Sequence, residues 1–374
     1  GLCGLCGGIG AADLASLAAL DGASGYEGPV AAYIGKSLGG RQEVDNTGSL
    51  TVTFGAGRPH TMLLAGLDEP GYVVSGMTED GYLRVQRLSS SPPHSRFEDF
   101  FVAQAVRVTT AGGKTLNGVV AAPSVHLQSE RSTTMRVDHP EELYIDIGAR
   151  SQAQARQAGV DLLDPVTLEK QAIELGGGRV SAPWISGRAG AAVLVELGRR
   201  LAGAAPQGTV TLAFASQQYS GNRGLARLAE RVDADRVVWI RPGGRERPAV
   251  APASDGQPAM ADELLGLARR RKLEGDRETA ERVVVPACAK AEIWKEPQRV
   301  ASLTLGVEHA GTPVEVVSRA GLAQLGDLLA EWIGVRQAVM PVTTARQAGA
   351  PVAAGTGVLE RLLAVYGVSR REAE

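Results

Sequence analysis

Aromatic residues are scarce. Phe, Trp and Tyr make up 4% of the 374 residues, too few for a base-stacking platform. An excess of one charge is also missing. Lys and Arg number 39 against 41 Asp and Glu, a net charge of −2, so nothing draws the chain toward nucleic acid or anionic lipid. No uninterrupted apolar run is long enough to span a bilayer. Neither nucleic acid nor membrane is therefore expected as a partner. Three cysteines cannot form a disulfide framework. Cys3 and Cys6 make a CxxC in the glycine-rich start GLCGLCGGIG. With no βαβ pattern and no second pair, it reads as a mobile terminus rather than a metal or redox site. Cys288 reads as a small core residue. The first residue is Gly1, not Met, which leaves an export signal removed upstream open.

What is present is ordinary for a globular chain: 44% apolar and 21% charged residues. The length suits two domains, or one large domain with an insertion. The stretch TMLLAGLDEPGYVV (61–74) organises the rest. Its first apolar run breaks at Gly66, and a polar corner with Asp68 and Glu69 follows. A short apolar run between turn signals predicts a strand buried on both faces. Its carboxyl end is where open α/β sheets place binding crevices.

Ahead of that strand the pattern predicts helices over 11–20 and 30–38, and a hairpin over 42–54 turning at Asp45-Asn46-Thr47-Gly48. Beyond it come short strands over 72–88, 100–108, 116–121 and 143–147, a small all-β insertion. A capping-box spacing, Ser151 and Gln154, opens a helix over 151–157. Strands at 166–173, 209–215, 237–240, 283–285 and 314–317 then alternate with helices at 187–201, 225–231, 261–271 and 322–333. Residues 243–258 read as a Pro/Gly-rich loop, 336–357 as weakly patterned, and 358–366 as a last helix docking on the body or a partner. The alternation predicts an α/β fold, a three-layer αβα sandwich interrupted by the β insertion. The expected division is a discontinuous α/β domain, 1–72 with 164–374, and an inserted β-rich domain, 73–163.

Several strings, taken together and in order, resemble one family. They are SGYEGPVAAYI, DNTGSLTV, LLAGLDEPGYVV, DGYLRVQRL, LNGVVAAPSVHL, ELYIDIGARS, GVDLLDPVT, SGRAGAAVLVELGRRL and SQQYSGNRGL. Their order and spacing resemble the dinuclear-zinc glutamyl or deblocking aminopeptidases, once mislabelled cellulase M. The resemblance implies a metallo-exopeptidase-like fold, a dimerisation role for the insertion, homo-oligomers of dimer size or larger, and a cytoplasmic setting.

It also implies a site whose chemistry is absent from this chain. The family's two zinc ions generate a hydroxide and polarise the scissile carbonyl, and they need histidine and carboxylate ligands. Gly66 stands where the family has a histidine, while Asp68, which supports that histidine, is retained. Ser186 replaces the bridging aspartate ahead of Gly187-Arg188-Ala189-Gly190. After Gln217, Gln218 and Tyr219 replace the catalytic glutamate and a metal-binding glutamate. Arg241 replaces the next aspartate, and the late histidine motif has no counterpart near Ser318-Arg319-Ala320. No metal or other cofactor is therefore expected. None of His60, His94, His126, His139 and His309 compensates by spacing.

Without dications, Asp68 and Glu69 need another cation, because a buried unpaired carboxylate is unfavourable. Arg241 or Arg188 is expected within ion-pair reach of them, with Arg223 a further candidate. The vestigial crevice is thus Gly66, Asp68, Glu69, Ser186, Gly187, Arg188, Gln217, Gln218, Tyr219 and Arg241. Three readings follow. The first is a non-catalytic homologue that acts as scaffold or partner subunit, or binds a peptide or small anionic ligand in the crevice. The second is an active aminopeptidase-type hydrolase using another residue or metal set, with Ser186 or Ser220 as candidate nucleophiles. The third is a purely structural oligomer component, marked by a crevice filled with its own side chains.

Overall fold

A computed structural model describes residues 11–89, 92–121, 137, 139–204, 206–245, 248–252, 259–273, 276–277 and 299–335. These all belong to one compact unit, Gly1–Ala338. Cys3, Cys6, Cys288, His126, the strand expected at 283–285 and the stretches 336–357 and 358–366 lie outside the described residues.

The chain opens with α1 (Ala11–Ala19), α2 (Gly28–Ser37), β1 (Arg41–Val44), β2 (Leu50–Gly55) and β3 (His60–Gly66). Next come β4 (Tyr72–Met77), β5 (Leu83–Arg87), β6 (Ala105–Thr109), β7 (Thr115–Val120), β8 (Tyr144–Asp146), α3 (Gln152–Gln157) and β9 (Pro165–Leu168). Then follow β10 (Ile173–Leu175), β11 (Arg179–Ser181), α4 (Ser186–Ala202), β12 (Thr209–Ala215), α5 (Arg223–Arg231) and β13 (Arg236–Arg245). The last are β14 (Ala249–Pro252), α6 (Ala259–Arg270), β15 (Asp276–Arg277), β16 (Val300–Gly306), β17 (Val316–Ser318) and α7 (Arg319–Trp332).

One sheet runs β1-β2-β12-β3-β13-β16-β14-β15. Its centre is parallel: β12, β3, β13 and β16 point the same way. Alternation along these strands feeds two cores. Leu63, Ala65, Leu212, Phe214, Val238 and Ile240 join the core shared with α1, α2, α4, α6 and α7. Met62, Leu64, Ala213, Ala215, Val237 and Trp239 face the core under α5. This is the αβα sandwich, and β3 is buried from Thr61 to Gly66, as a central parallel strand must be.

Strands β4 to β9 close into a barrel, β4-β5-β8-β7-β6-β9, around Tyr72, Val74, Phe97, Phe101, Val106 and Val166, while β10 and β11 pair with β17 in a separate three-stranded sheet. The strand expected over 166–173 stops at Leu168 and pairs with β4 and β6. It completes the barrel rather than belonging to the α/β sheet, because its alternate residues Val166 and Leu168 find their apolar partners there. The strand expected over 100–108 begins only at Ala105, since Phe97 and Phe101 plug the barrel from a turn-rich segment.

Other boundaries also differ. His60 is the first residue of β3, not a residue ahead of it. The loop expected over 243–258 carries the end of β13 and all of β14. The hairpin β10–β11 and the strand β16 were not expected. α3 starts as its capping spacing predicts: Ser151 Oγ accepts from the Gln154 amide at 3.2 Å. The other half of the box is shifted by one residue, with Gln154 Oε1 accepting from the Arg150 amide at 2.8 Å. No helix among the described residues is long and apolar enough to cross a membrane.

Candidate functional site

The parallel strands end together. β3 ends at Gly66, β12 at Ala215, β13 passes Ile240, and α4 begins at Ser186 beside them. The Leu67 amide donates to the Ala215 carbonyl at 2.9 Å, extending the ladder past the strands. This is where the sequence places its crevice.

The sequence-predicted residues do meet here. A Cβ built on Gly66 would fall 2.0 Å from Gln218 Nε2. The Gln218 amide therefore fills the space in which a side chain at position 66 would stand. A Cβ on Gly187 would lie 3.0 Å from the Asp68 carbonyl oxygen, and 3.9 Å from both Gln218 Nε2 and Tyr219 Oη. The Tyr219 amide donates to Asp68 Oδ2 at 2.9 Å. The Ser186 amide donates to Glu315 Oε2 at 2.9 Å. Arg241 sits apart from this cluster in character, its guanidinium lying over the Trp239 ring at 5.2 Å. Arg223 is exposed on the first turn of α5.

Glu69 of the acid pair is met by Arg188 and by a residue that was not anticipated, Lys170. Lys170 Nζ lies 2.9 Å from Glu69 Oε1 and 2.9 Å from Asp21 Oδ1. Arg188 Nη2 lies 3.3 Å from the same Glu69 oxygen. Exposure decides how much these contacts matter: the side chains of Lys170, Glu69 and Arg188 are 1%, 2% and 3% exposed. Water screens such pairs very little, so breaking one is costly. Arg188 also donates to the carbonyls of Leu17, Leu20 and Gly22 at 3.0, 3.4 and 3.5 Å. The first two lie at the end of α1, where helix carbonyls lack intrahelical partners and favour a cation.

A segment after α1 lies across the strand ends. The Gly22 amide donates to Glu69 Oε1 at 3.0 Å. The Ser24 amide donates to the Glu69 carbonyl at 3.2 Å, and the Glu69 amide to the Gly22 carbonyl at 3.0 Å. Glu27 Oε1 accepts from the Gln217 amide at 2.6 Å. Ser24 Oγ donates to Ser220 Oγ at 2.8 Å, and that hydroxyl passes its own proton to the Leu88 carbonyl at 3.1 Å.

Burial also shifts the acids. Burial, then the nearby charge of Glu27, raises the Asp68 carboxyl to about 7. Burial raises Glu27 and Glu315. Burial, with the charges of Glu315, Asp68 and Glu69, raises the Tyr219 phenol well above its usual value. Among the described residues, Asp68 Oδ1 and Gln218 Nε2 are buried and make no hydrogen bond.

The zinc pair implied by the resemblance can be tested against these side chains. Zinc takes thiolate, imidazole or carboxylate donors. Gly66, Ser186, Gln218, Tyr219 and Arg241 offer none, and Glu69 is held by Lys170 and Arg188. Among the described residues, no group of three or more His, Cys, Asp and Glu side chains is placed to hold a metal ion. The donor set does not fit a dinuclear centre. Two cavities lie away from these residues. One of about 390 Å³ runs along α7, lined by Leu265, Leu303, Leu322 and Leu328. Another of about 460 Å³ lies between Tyr26 and Leu163.

The four described histidines stay outside the crevice in structural roles or in solvent. His60 bonds the Asp233 carbonyl and Thr211 Oγ1 at 2.9 and 2.8 Å. His94 Nδ1 accepts from the Arg96 amide at 3.0 Å. His139 and His309 are exposed.

Three of the seven described non-glycine residues at positive φ flank these strand ends. Gln217 has φ +54°, Trp184 +53° and Asn222 +55°. A non-glycine residue there costs about 1 kcal/mol or more. Gln217→Gly is expected to raise stability by up to about 1 kcal/mol, offset by loss of the 3.1 Å bond from Gln217 Nε2 to the Thr47 carbonyl. Chemical denaturation reads the difference. A variant destabilised by more than about 1 kcal/mol would mean that the amide bond outweighs the strain.

The M42 glutamyl aminopeptidase model matches residues 48–241. Among curated proteins, the lysyl aminopeptidase of Pyrococcus furiosus is 26% identical over 184 residues, covering 48% of this chain and 51% of its own. The glutamyl aminopeptidase of Lactococcus lactis is 28% identical over 211 residues, 54% of this chain and 57% of its own. The chain thus spans about half the length of the curated relatives it matches. Among solved structures, the TET1 peptidase of Pyrococcus horikoshii superposes with a TM-score of 0.73 at 22% identity, covering 86% of this chain and 98% of that one. An aminopeptidase of Desulfurococcus kamchatkensis reaches 0.70 at 20% identity, with 88% and 98% covered.

Proposed function

Because this chain belongs to the M42 glutamyl aminopeptidase family and its described residues place no metal-binding set at the strand ends, we propose that it is a non-catalytic, structural member of that family. One observation carries the reading most. The Gln218 amide occupies the volume beside Gly66 where a ligand side chain would have to stand. A crevice filled by its own side chains favours a structural role over capture of an anion. The cation that an anionic peptide end would need, Arg188, is already committed to Glu69 and three carbonyls.

The role is that of a subunit in a homo-oligomer, with the barrel as the assembling part. In support, the Pyrococcus horikoshii relative assembles into a tetrahedron or a large octahedral shell. A serine-based hydrolase is disfavoured. The Ser220 hydroxyl donates to the Leu88 carbonyl, Ser186 is buried against Glu315, and none of the described histidines bonds either hydroxyl as a base would.

The test is a panel of leucyl, lysyl and glutamyl chromogenic amides, run with added zinc and with added cobalt, alongside a fluorophosphonate probe. No turnover above the uncatalysed background and no labelling is expected, with a particle larger than a monomer by light scattering. Amide hydrolysis that tracks bound zinc would overturn the reading. Labelling of Ser186 or Ser220 would replace it with serine chemistry.

A further inference from the structure

We infer that Lys170 is a fixed internal cation that locks the barrel to the strand ends, so that this fold holds together without any divalent metal. The inference rests on the donor mismatch described above, and extends it from what is missing to what has taken its place.

Lys170 lies just beyond the last barrel strand, β9 (Pro165–Leu168). Its ammonium group reaches three parts of the molecule. It meets Glu69 Oε1 beyond β3 and Asp21 Oδ1 after α1, each at 2.9 Å, and Thr167 Oγ1 in β9 at 3.3 Å. Those are the three donors an ammonium has, so none is left unmade. Asp21 in turn accepts from Thr167 Oγ1 at 3.2 Å and lies 3.5 Å from Arg107 of β6. Arg107 holds Glu169 Oε1 at 2.5 Å. Trp184, just ahead of α4, buries its ring in the barrel core, 5.4 Å from Phe97. The barrel is thus joined to the α/β part by a charged seam and an apolar plug.

The charge logic is local. Glu69 is buried, and a lone buried carboxylate would be expelled or protonated. Lys170 and Arg188 together keep it in place, while its backbone carries the segment at 22–24 through two hydrogen bonds and its carboxylate accepts a third from the Gly22 amide. Neutralising Lys170 alone should therefore leave Glu69 with Arg188 as its one remaining cation, loosen residues 22–24 and unseat the barrel. Neutralising both should restore part of the fold, since Glu69 then carries no charge, while Arg188 keeps its three carbonyl acceptors and Asp21 keeps Arg107.

The test compares the wild type with Lys170→Met, Glu69→Gln and the double variant, each with chelator and with added zinc. The wild-type melting temperature is expected to be indifferent to chelator and to zinc. Lys170→Met should melt roughly 5–10 °C lower, with amide exchange at Gly22 and Ser24 accelerated about tenfold or more. The double variant should recover a measurable part of that loss. If Lys170→Met does not accumulate, the double variant must still fold. A Lys170→Met protein melting with the wild type, a double variant no better than the single, or a wild type that chelator destabilises would each overturn the lock. Amide hydrolysis by a protein whose double variant still recovers would sink the non-catalytic reading and leave the lock standing.

Discussion

Arg188→Met is expected to destabilise the protein by about 3 kcal/mol, the lower end of what breaking a buried pair costs. The lower end applies because Lys170 remains on Glu69, 2.9 Å away. Two losses combine. Glu69 keeps one cation where it had two, and the carbonyls of Leu17, Leu20 and Gly22 lose their donor. Methionine keeps most of the volume, so a cavity contributes little. Arg188→Lys should fall between, because an ammonium cannot serve the α1 carbonyls and Glu69 together with the fork of a guanidinium. Denaturant titration at constant slope reads both. A Met variant within about 1 kcal/mol of the wild type would mean that the seam is only decorative.

The second large effect is on pH. The Asp68 carboxyl sits at about 7 instead of 3.8, raised first by burial and then by Glu27. A carboxyl raised on folding holds its proton longer in the folded state than in the unfolded one. The folded chain therefore loses stability as pH rises from about 4 to about 7, and recovers none of it above. Glu27, also raised by burial, acts in the same direction. Arg188 and the Tyr219 amide oppose it, the amide bonding Asp68 Oδ2 at 2.9 Å.

Asp68→Asn imitates the protonated acid and cannot ionise. It should be close to neutral near pH 4 and stabilise the protein by about 2–4 kcal/mol near pH 8. Melting curves at the two pH values check it. A variant less stable than the wild type at pH 8 would show that the carboxylate is needed in charged form.

Much of this was legible in residues close together in sequence. TMLLAG announces a buried strand because six consecutive buried positions leave no room for polar side chains, and β3 is just that. The turn at Asp45 is readable because its carboxylate accepts from the amides of Thr47 and Ser49, at 2.8 and 3.1 Å. That an arginine would pair with Glu69 followed from charge, but which one, Arg241 or Arg188, did not; the structure puts Arg188 there. What depends on tertiary placement was not legible. Lys170 lies 101 residues from Glu69, in the polar run EKQ, and nothing local marks it as buried. Glu27 sits inside a matching string but has no pattern that would point it at Gln217.

The missed elements have physical reasons too. β16 reads VASLTLG, where Ser302 and Thr304 interrupt the apolar run, yet both are buried in the sheet. β14 hides in a stretch rich in proline and glycine, and β10 and β11 flank three consecutive glycines that look like a loop. Along the barrel, alternation located the strands, but their closure by β9 depends on partners far away in the chain.

The account turns on what stands at the ends of β3 and β12. Diffraction from zinc-soaked crystals at the zinc absorption edge probes that place directly. No anomalous peak beside Asp68 is expected, with Lys170 Nζ and Arg188 Nη2 about 2.9 and 3.3 Å from Glu69 Oε1. Two peaks separated by about 3.5–4 Å, the spacing of a two-metal site, and ligated by Asp68 or Glu69, would contradict it.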